Sequence, residues 1–313
     1  MARYALLKLL YAIPTLLSVL VLVFVLTRVI PGDPAQLILG DQATPEAIAN
    51  LRDQLGLNQS IGLQFLHFLV GVLHGDFGTS IVSGQSVVSL AADVLPSTLE
   101  LTIASLIVGV VFGVPLGAWS AMHRNGIPDI VVRIGSLIGL SLPAFVFGIL
   151  LLIVFSVQLG WFPVISPSGN VSLFARLQAL VLPAITLGIL MAAYITRVTR
   201  SSMLQVLGED FIRTARAKGV PWWQVVRRHA LRNAIIPVVT VVGLYLGVLI
   251  GNSVLTEMVF NRPGLGKLIV GALAQRDYPV LQGLMVLYTL LIILANLLTD
   301  LAYGVFNPRV RFA

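Results

Sequence analysis

The chain has 313 residues, of which 57% are hydrophobic and only 11% charged, with a mean hydropathy of +0.95. A soluble domain carries about 25% charged residues, so this composition excludes an ordinary soluble protein and points to an all-α, polytopic membrane protein. There is no cysteine, which excludes disulfides and thiolate metal sites. The formal charge of +7 reads as basic residues held at one membrane face, not as a nucleic-acid footprint.

A spanning helix needs about 20 apolar residues. Six stretches qualify: Leu9–Ile30, Leu101–Ala121, Val131–Leu159, Ala179–Ile195, Ala234–Thr256 and Gly283–Val305. The first is too long for a signal-peptide core and is followed by Pro31-Gly32-Asp33-Pro34 instead of a cleavage site, so it is read as a retained anchor. Three regions result: a tail with the first span (1–30), an outer loop region with short helices (31–98), and a core of five spans (99–313). In the outer loop, Thr44-Pro45-Glu46 is a helix start, after which Ile48, Leu51 and Leu55 share a face. Residues Ile61–Leu73 are apolar but too short to span, and are expected at the interface or packed on the bundle. Gly75-Asp76-Phe77-Gly78 closes that segment with a turn. In the core, Gly109, Gly113 and Gly117 recur every four residues in the second span, and Gly243, Gly247 and Gly251 do so in the fifth. That spacing lets another backbone approach closely; the partner can be internal or a second subunit.

Placing both termini in the cytoplasm puts Arg3, Lys8, Arg124, Arg133, Arg309, Arg311 and eight cations of the loop at about 197–233 inside, and only Arg28, Arg52, Arg176, Arg262, Lys267 and Arg276 outside. That loop contains Glu209-Asp210-Phe211-Ile212-Arg213-Thr214-Ala215-Arg216-Ala217-Lys218-Gly219. Acidic residues open it, cations close it, and Gly219 with Pro221 stops it, so a short capped helix is expected. Its apolar face, Phe211/Ile212, Ala215 and Gly219, tapers from bulky to small. A lipid-surface helix would carry a broad bulky face; a tapering knob suits a groove in another protein, with Arg213, Arg216 and Lys218 meeting its polar walls.

The stretch Arg213–Thr240, RTARAKGVPWWQVVRRHALRNAIIPVVT, resembles the cytoplasmic loop of the dipeptide/oligopeptide permease family of ABC importers, first-permease type. Arg28-Val29-Ile30-Pro31-Gly32-Asp33-Pro34-Ala35, Gly75-Asp76-Phe77-Gly78, Leu95-Pro96-Ser97-Thr98-Leu99-Glu100-Leu101-Thr102, Glu257-Met258-Val259-Phe260-Asn261-Arg262-Pro263-Gly264-Leu265-Gly266 and Arg276-Asp277-Tyr278-Pro279 resemble its other signature stretches. The wider importer loop reads E-A-A-x3-G-x9-I-x-L-P. Here Gly219 keeps the glycine place, Arg213, Thr214 and Ala215 stand in the first three, and Pro237 falls five residues late. The resemblance implies a type I importer permease fold in a bacterial inner membrane, with Asp210–Gly219 as a coupling helix docked on an ATPase subunit. It also implies a homologous second permease, two ATP-binding subunits that use ATP and Mg, and a periplasmic or lipid-anchored binding protein. The cargo class is peptide, glutathione included; nickel, opine and sugar importers are the nearest alternatives.

No catalytic or cofactor motif is expected in this chain. Gly264-Leu265-Gly266-Lys267-Leu268 lacks the first glycine and the final Ser/Thr of a phosphate-binding loop. His67, His74, His123 and His229 have no ligand-like spacing. Asp300, in the last span near Arg309 and Arg311, reads as a structural ion-pair partner, with a proton or ion relay as the alternative. Glu257, Arg262, Arg276 and Asp277 put charge at the outer mouth, as a salt-bridge cluster, an outer gate or a docking surface for a binding protein. A stand-alone secondary transporter would need mid-membrane charges and inverted repeats with broken helices, and an intramembrane enzyme would need a catalytic constellation at depth; the sequence displays neither beyond Pro143 and Asp300.

Overall fold

The computed structural model describes residues 2–29, 34–39, 43–54, 56–167 and 172–306. Residues 31–33, Leu55, Arg309 and Arg311 lie outside the described residues, as do the side chains of Arg3, Lys8 and Asp300. The described chain is helical, apart from one isolated bridge between Thr79 and Ser86. Among the described residues, five helical segments are long and apolar enough to span: Leu10–Arg28, Val87–Met122, Leu173–Leu207, Trp222–Val259 and Tyr278–Thr299. A sixth is a broken pair, Ile127–Ser141 and Ala144–Gln158, bent by 103°. The expected third span, 131–159, is therefore two helices. Pro143 has no N–H and pushes Leu142 into extended backbone (φ −86°, ψ 129°), which an apolar window cannot register.

The chain divides into two compact units that do not follow chain order. One comprises residues 2–96 and 264–293. Its helices are α1 (Ala2–Val29), α2 (Pro34–Leu39), α3 (Pro45–Gln54), α4 (Ile61–Leu73), the first turns of α5 (Val87–Met122) and, further along the chain, Leu265–Ala274 and the start of Tyr278–Phe306. Thr44 caps α3 as its sequence indicates, its Oγ1 accepting from the Ala47 N–H at 3.3 Å. Helix α4 packs on α1: the Phe24 ring meets Phe65 edge-on at 5.2 Å, and Arg28 lies 4.3 Å over Phe24 while donating to Gln64. Buried Asp277 organises the turn that precedes α5. It accepts from Ser80 Oγ at 2.6 Å and from the Ile81 N–H at 3.3 Å, and caps the last helix through the Val280 N–H at 3.4 Å.

The other unit comprises residues 97–263 and the chain from Leu294. It contains the rest of α5, α6 (Ile127–Ser141), α7 (Ala144–Leu151, continued by a π-helix to Gln158), α8 (Leu173–Leu207), α9 (Asp210–Ala217), α10 (Trp222–Gln224), α11 (Leu231–Val259) and the C-terminal part of the last helix. Helix α8 has 35 residues, about 52 Å of helix, so it extends well past a hydrocarbon core of about 30 Å. The glycine row of α5 packs on it. A Cβ added at Gly109 would lie 2.6 Å from Met191, at Gly113 2.7 Å from Ile195, and at Gly117 2.6 Å from the Thr196 carbonyl. The partner of the first glycine triplet is therefore internal. In α11, Gly243 meets Thr299, whose Oγ1 donates to the Gly243 carbonyl at 3.0 Å. Gly247 is half-buried, and Gly251 is exposed with open space around it.

The contrast between the triplets is measurable. Gly113→Leu forces α5 off α8 and should cost about 1–3 kcal/mol by overpacking. It should show as a lower melting temperature of the detergent-purified chain, whereas Gly251→Leu, entering open space, should leave the melt unchanged.

Candidate functional site

Helix α9 lies in the loop between α8 and α11 and is built as its sequence indicates, with a sharper stop. Asp210 sits in the first turn and Arg216 in the last. Gly219 adopts φ +77°; its N–H donates to the Arg216 carbonyl at 2.9 Å, and the Val220 N–H to the Ala215 carbonyl at 3.2 Å. These two bonds are the Schellman closure. The left-handed φ is why glycine stands there, since other L residues lose roughly 1–2 kcal/mol in that conformation.

The apolar face of α9 is spent on its own chain. Ile212 is 2% exposed and Ala215 9%, in a cluster with Ala118 and Ala121 of α5, Met203 of α8, Val225, Val226 and Ala230 of a π-helical turn, and Ala234 of α11. This corrects the expectation that Ile212 and Ala215 form a knob for a partner's groove: the ends of α5, α8 and α11 supply the groove. Outward-facing are Asp210, Phe211, Arg213, Thr214, Arg216, Ala217, Lys218 and Gly219. Phe211 is 43% exposed, and Trp222 and Trp223 extend the surface at 45% and 64%. The Arg216 guanidinium lies 5.2 Å from the Trp222 ring centre, a cation–π contact joining α9 to α10. The Asp210–Arg213 pair at 3.4 Å is largely in solvent and holds little.

Next to this platform is a buried ion pair that leaves little trace in the sequence. Asp129, in the first turn of α6, is fully buried. It accepts from Ser120 Oγ of α5 at 2.6 Å and from the Asn125 N–H at 2.9 Å. Arg200 of α8 grips both its oxygens, Nε at 2.6 Å and Nη2 at 2.7 Å. Four donors on one carboxylate offset its desolvation. The clasp ties α6 to α5 and α8 near the residues that seat α9. Its only sequence trace is an acid after Pro128 at a helix start, and Arg200 was indistinguishable from the other loop cations.

The charged residues at the other end of α5 fall into separate arrangements. Glu257 is fully buried and accepts from Thr98 Oγ1 at 2.7 Å and Ser253 Oγ at 3.3 Å. Arg262 is 4% exposed and donates to Glu100 at 2.9 Å; Glu100 also pairs with Arg176. Burial lowers the affinity of the Arg262 guanidinium for its proton, and Glu100 opposes that. Glu100, with no distinctive signal in sequence, is thus the hub of this pair of cations. Asp277 belongs to the other unit, as the turn organiser described above, and Arg276 is exposed with φ +56°.

Apolar spans, one of them broken, and a loop helix seated on their ends define a membrane-embedded transport component. The chain belongs to the family of binding-protein-dependent transport system inner membrane components, which matches residues 113–312; the family's N-terminal part matches residues 1–102. It is similar over its whole length to two relatives named glutathione transport system permease protein GsiC. The Salmonella typhi protein is 47% identical and that of Escherichia coli K12 is 45% identical, each over 312 residues and 100% of both chains. Among solved structures, the MetNI methionine ABC transporter in inward-facing conformations matches with a TM-score of 0.55 at 23% identity, covering 70% of this chain and 97% of that one. An amino acid ABC transporter solved with histidines matches at 0.52 and 18% identity, covering 71% and 95%. The expected fold, that of an ABC importer permease in the inner membrane, is borne out.

Two substitutions separate the parts of this site. Arg200→Met leaves Asp129 buried without its counter-ion, and should destabilise the chain by about 3–5 kcal/mol in thermal melts. Gly219→Val meets no clash and strains only the backbone, so it should cost no more than about 2 kcal/mol while fraying the end of α9, read as faster amide exchange at Lys218 to Val220.

Proposed function

We propose that this chain is one of two permease subunits of a bacterial ABC importer for peptides, glutathione-like tripeptides included, and that α9 is the helix through which partner ATPases drive it. The observation carrying this reading is the two-sidedness of α9. One face is locked into the ends of α5, α8 and α11, and the other is open, aromatic and basic. A helix merely lying on lipid has no need of an inward seat in three spans, whereas a lever does.

In this reading both termini and the α8–α11 loop are cytoplasmic, as the distribution of Lys and Arg favours. The peptide cargo is supported by full-length likeness to the two glutathione permeases. Two ATP-binding subunits supply ATP and Mg chemistry, a homologous permease forms the other half of the path, and an external binding protein delivers cargo. Reversing a 1:99 inward/outward population needs about 5.5 kcal/mol of differential binding. Nucleotide-driven closure of the ATPases supplies it, and α9 transmits it.

The test uses the complex of this chain with its second permease and ATP-binding subunits. Phe211→Asp, on the open face, should abolish co-purification of the ATP-binding subunits while the chain still inserts and melts normally. Ile212→Ala should instead cost stability, about 2–5 kcal/mol. Intact association and ATP-driven peptide uptake in Phe211→Asp would refute the reading.

A further inference from the structure

The broken span carries more than a change of direction. At Leu142–Pro143 the Gly139 carbonyl loses its helical donor, because Pro143 has no N–H. The last carbonyls of α6 and the first N–H groups of α7 are likewise left without helical partners. Such backbone is tolerated at membrane depth only where protein buries it or where it lines a water-filled cavity. Here Ser141, Leu142 and Pro143 are exposed. Beside them is a cavity of about 350 Å³, lined by the elbow from Leu140 to Phe145, by Leu190 of α8, and by Asn252 and Leu255 of α11.

Asn252 stands seven residues before the end of α11, about 10 Å along the helix. Its side chain is exposed and makes no hydrogen bond among the described residues. Ser141 Oγ donates back to the Leu137 carbonyl at 2.8 Å, which leaves its oxygen free to accept. The notch is therefore mostly apolar, with Ser141, Asn252 and the elbow's backbone as its hydrogen-bonding groups and no charged side chain. A packed helix from a second subunit has no spare N–H or carbonyl to satisfy the elbow, whereas water and an extended peptide both do. The volume falls in the range of about 300–1,000 Å³ usual for small-ligand sites. A largely apolar wall with a few neutral hydrogen-bonding groups is the usual make-up of a small-ligand site.

We propose that this notch is a substrate subsite on the translocation path, where Asn252, Ser141 and the freed backbone of the elbow hydrogen-bond the amide groups of a peptide in transit. The inference rests on the peptide-importer reading above, and extends it to the atoms of the path.

Because the chain has no cysteine, label read on this chain alone, separated from its partner subunits after the reaction, reports the single introduced thiol. Asn252→Cys, Ser141→Cys and, as an apolar-surface control, Ile107→Cys are placed in the complete importer in vesicles and treated with a charged, membrane-impermeant maleimide. Thiols react as thiolates, which need water, so both elbow variants should label at least about tenfold faster than Ile107→Cys. S-methylglutathione, which has no free thiol, should slow elbow labelling in a concentration-dependent way, by about twofold at the concentration that half-occupies the notch. Asn252→Leu should cut S-methylglutathione uptake about tenfold, the scale for leaving a polar site unpaired.

Elbow labelling no faster than the control would overturn the proposal by placing the notch against lipid or a second subunit. Fast labelling unaffected by S-methylglutathione, with uptake by Asn252→Leu unchanged, would overturn it by making the notch a water passage only. A wild-type complex that imports neither S-methylglutathione nor triglycine would instead sink the peptide reading, and the labelling contrast would still decide whether the notch is wet.

Discussion

The insertion of Ile212 and Ala215 into the ends of α5, α8 and α11 is the contact on which the account depends. A helix of 8 residues has no stability of its own in water. It exists here because its apolar edge completes a small core and because Gly219 closes its last turn. The same packing makes it useful. A force on the open face of α9 cannot be absorbed by a flexible tether; it passes through Ile212 into spans that cross the membrane. The Asp129–Arg200 clasp widens that transmission by holding α6 to α5 and α8 beside the seat.

The membrane imposes a second constraint, on where irregular backbone can stand. Four donors on Asp129, and Thr98 with Ser253 on Glu257, show buried acids satisfied within the unit. The elbow at Pro143 differs from these acids, with exposed non-helical residues and an exposed asparagine side by side. The difference separates polar groups that hold the bundle together from polar groups left for something that passes through.

How much of this was legible in the sequence depended on the range of the signal. The boundaries of α9 were readable, because acidic start, basic end and Gly219 are all local. The partner of its apolar face was not, since periodicity identifies a face and says nothing of what covers it; Ala118 and Ile212 meet across almost a hundred positions. The Gly109–Gly113–Gly117 row announced close packing, yet Met191 and Ile195 were beyond reach for the same reason. Hydropathy merged α6 and α7 into one span; Pro143 was visible as a possible helix break, but the 103° bend it accompanies was not. Glu257 was noticed as a charge at a helix end, but its buried state depends on Thr98, far away on α5. Arg200 was hidden among the other basic residues of its loop.

The central claim is that α9 moves as one body with the spans it is seated in. The most direct measurement is a spin-label distance between Lys218→Cys and Arg124→Cys, compared in the nucleotide-free and ATP-bound complete importer. A rigid seat predicts a change of no more than about 2 Å, the scale of packed helices shifting together. A change of a full helical turn, about 5 Å or more, would mean that α9 slides on the bundle, and would contradict the account.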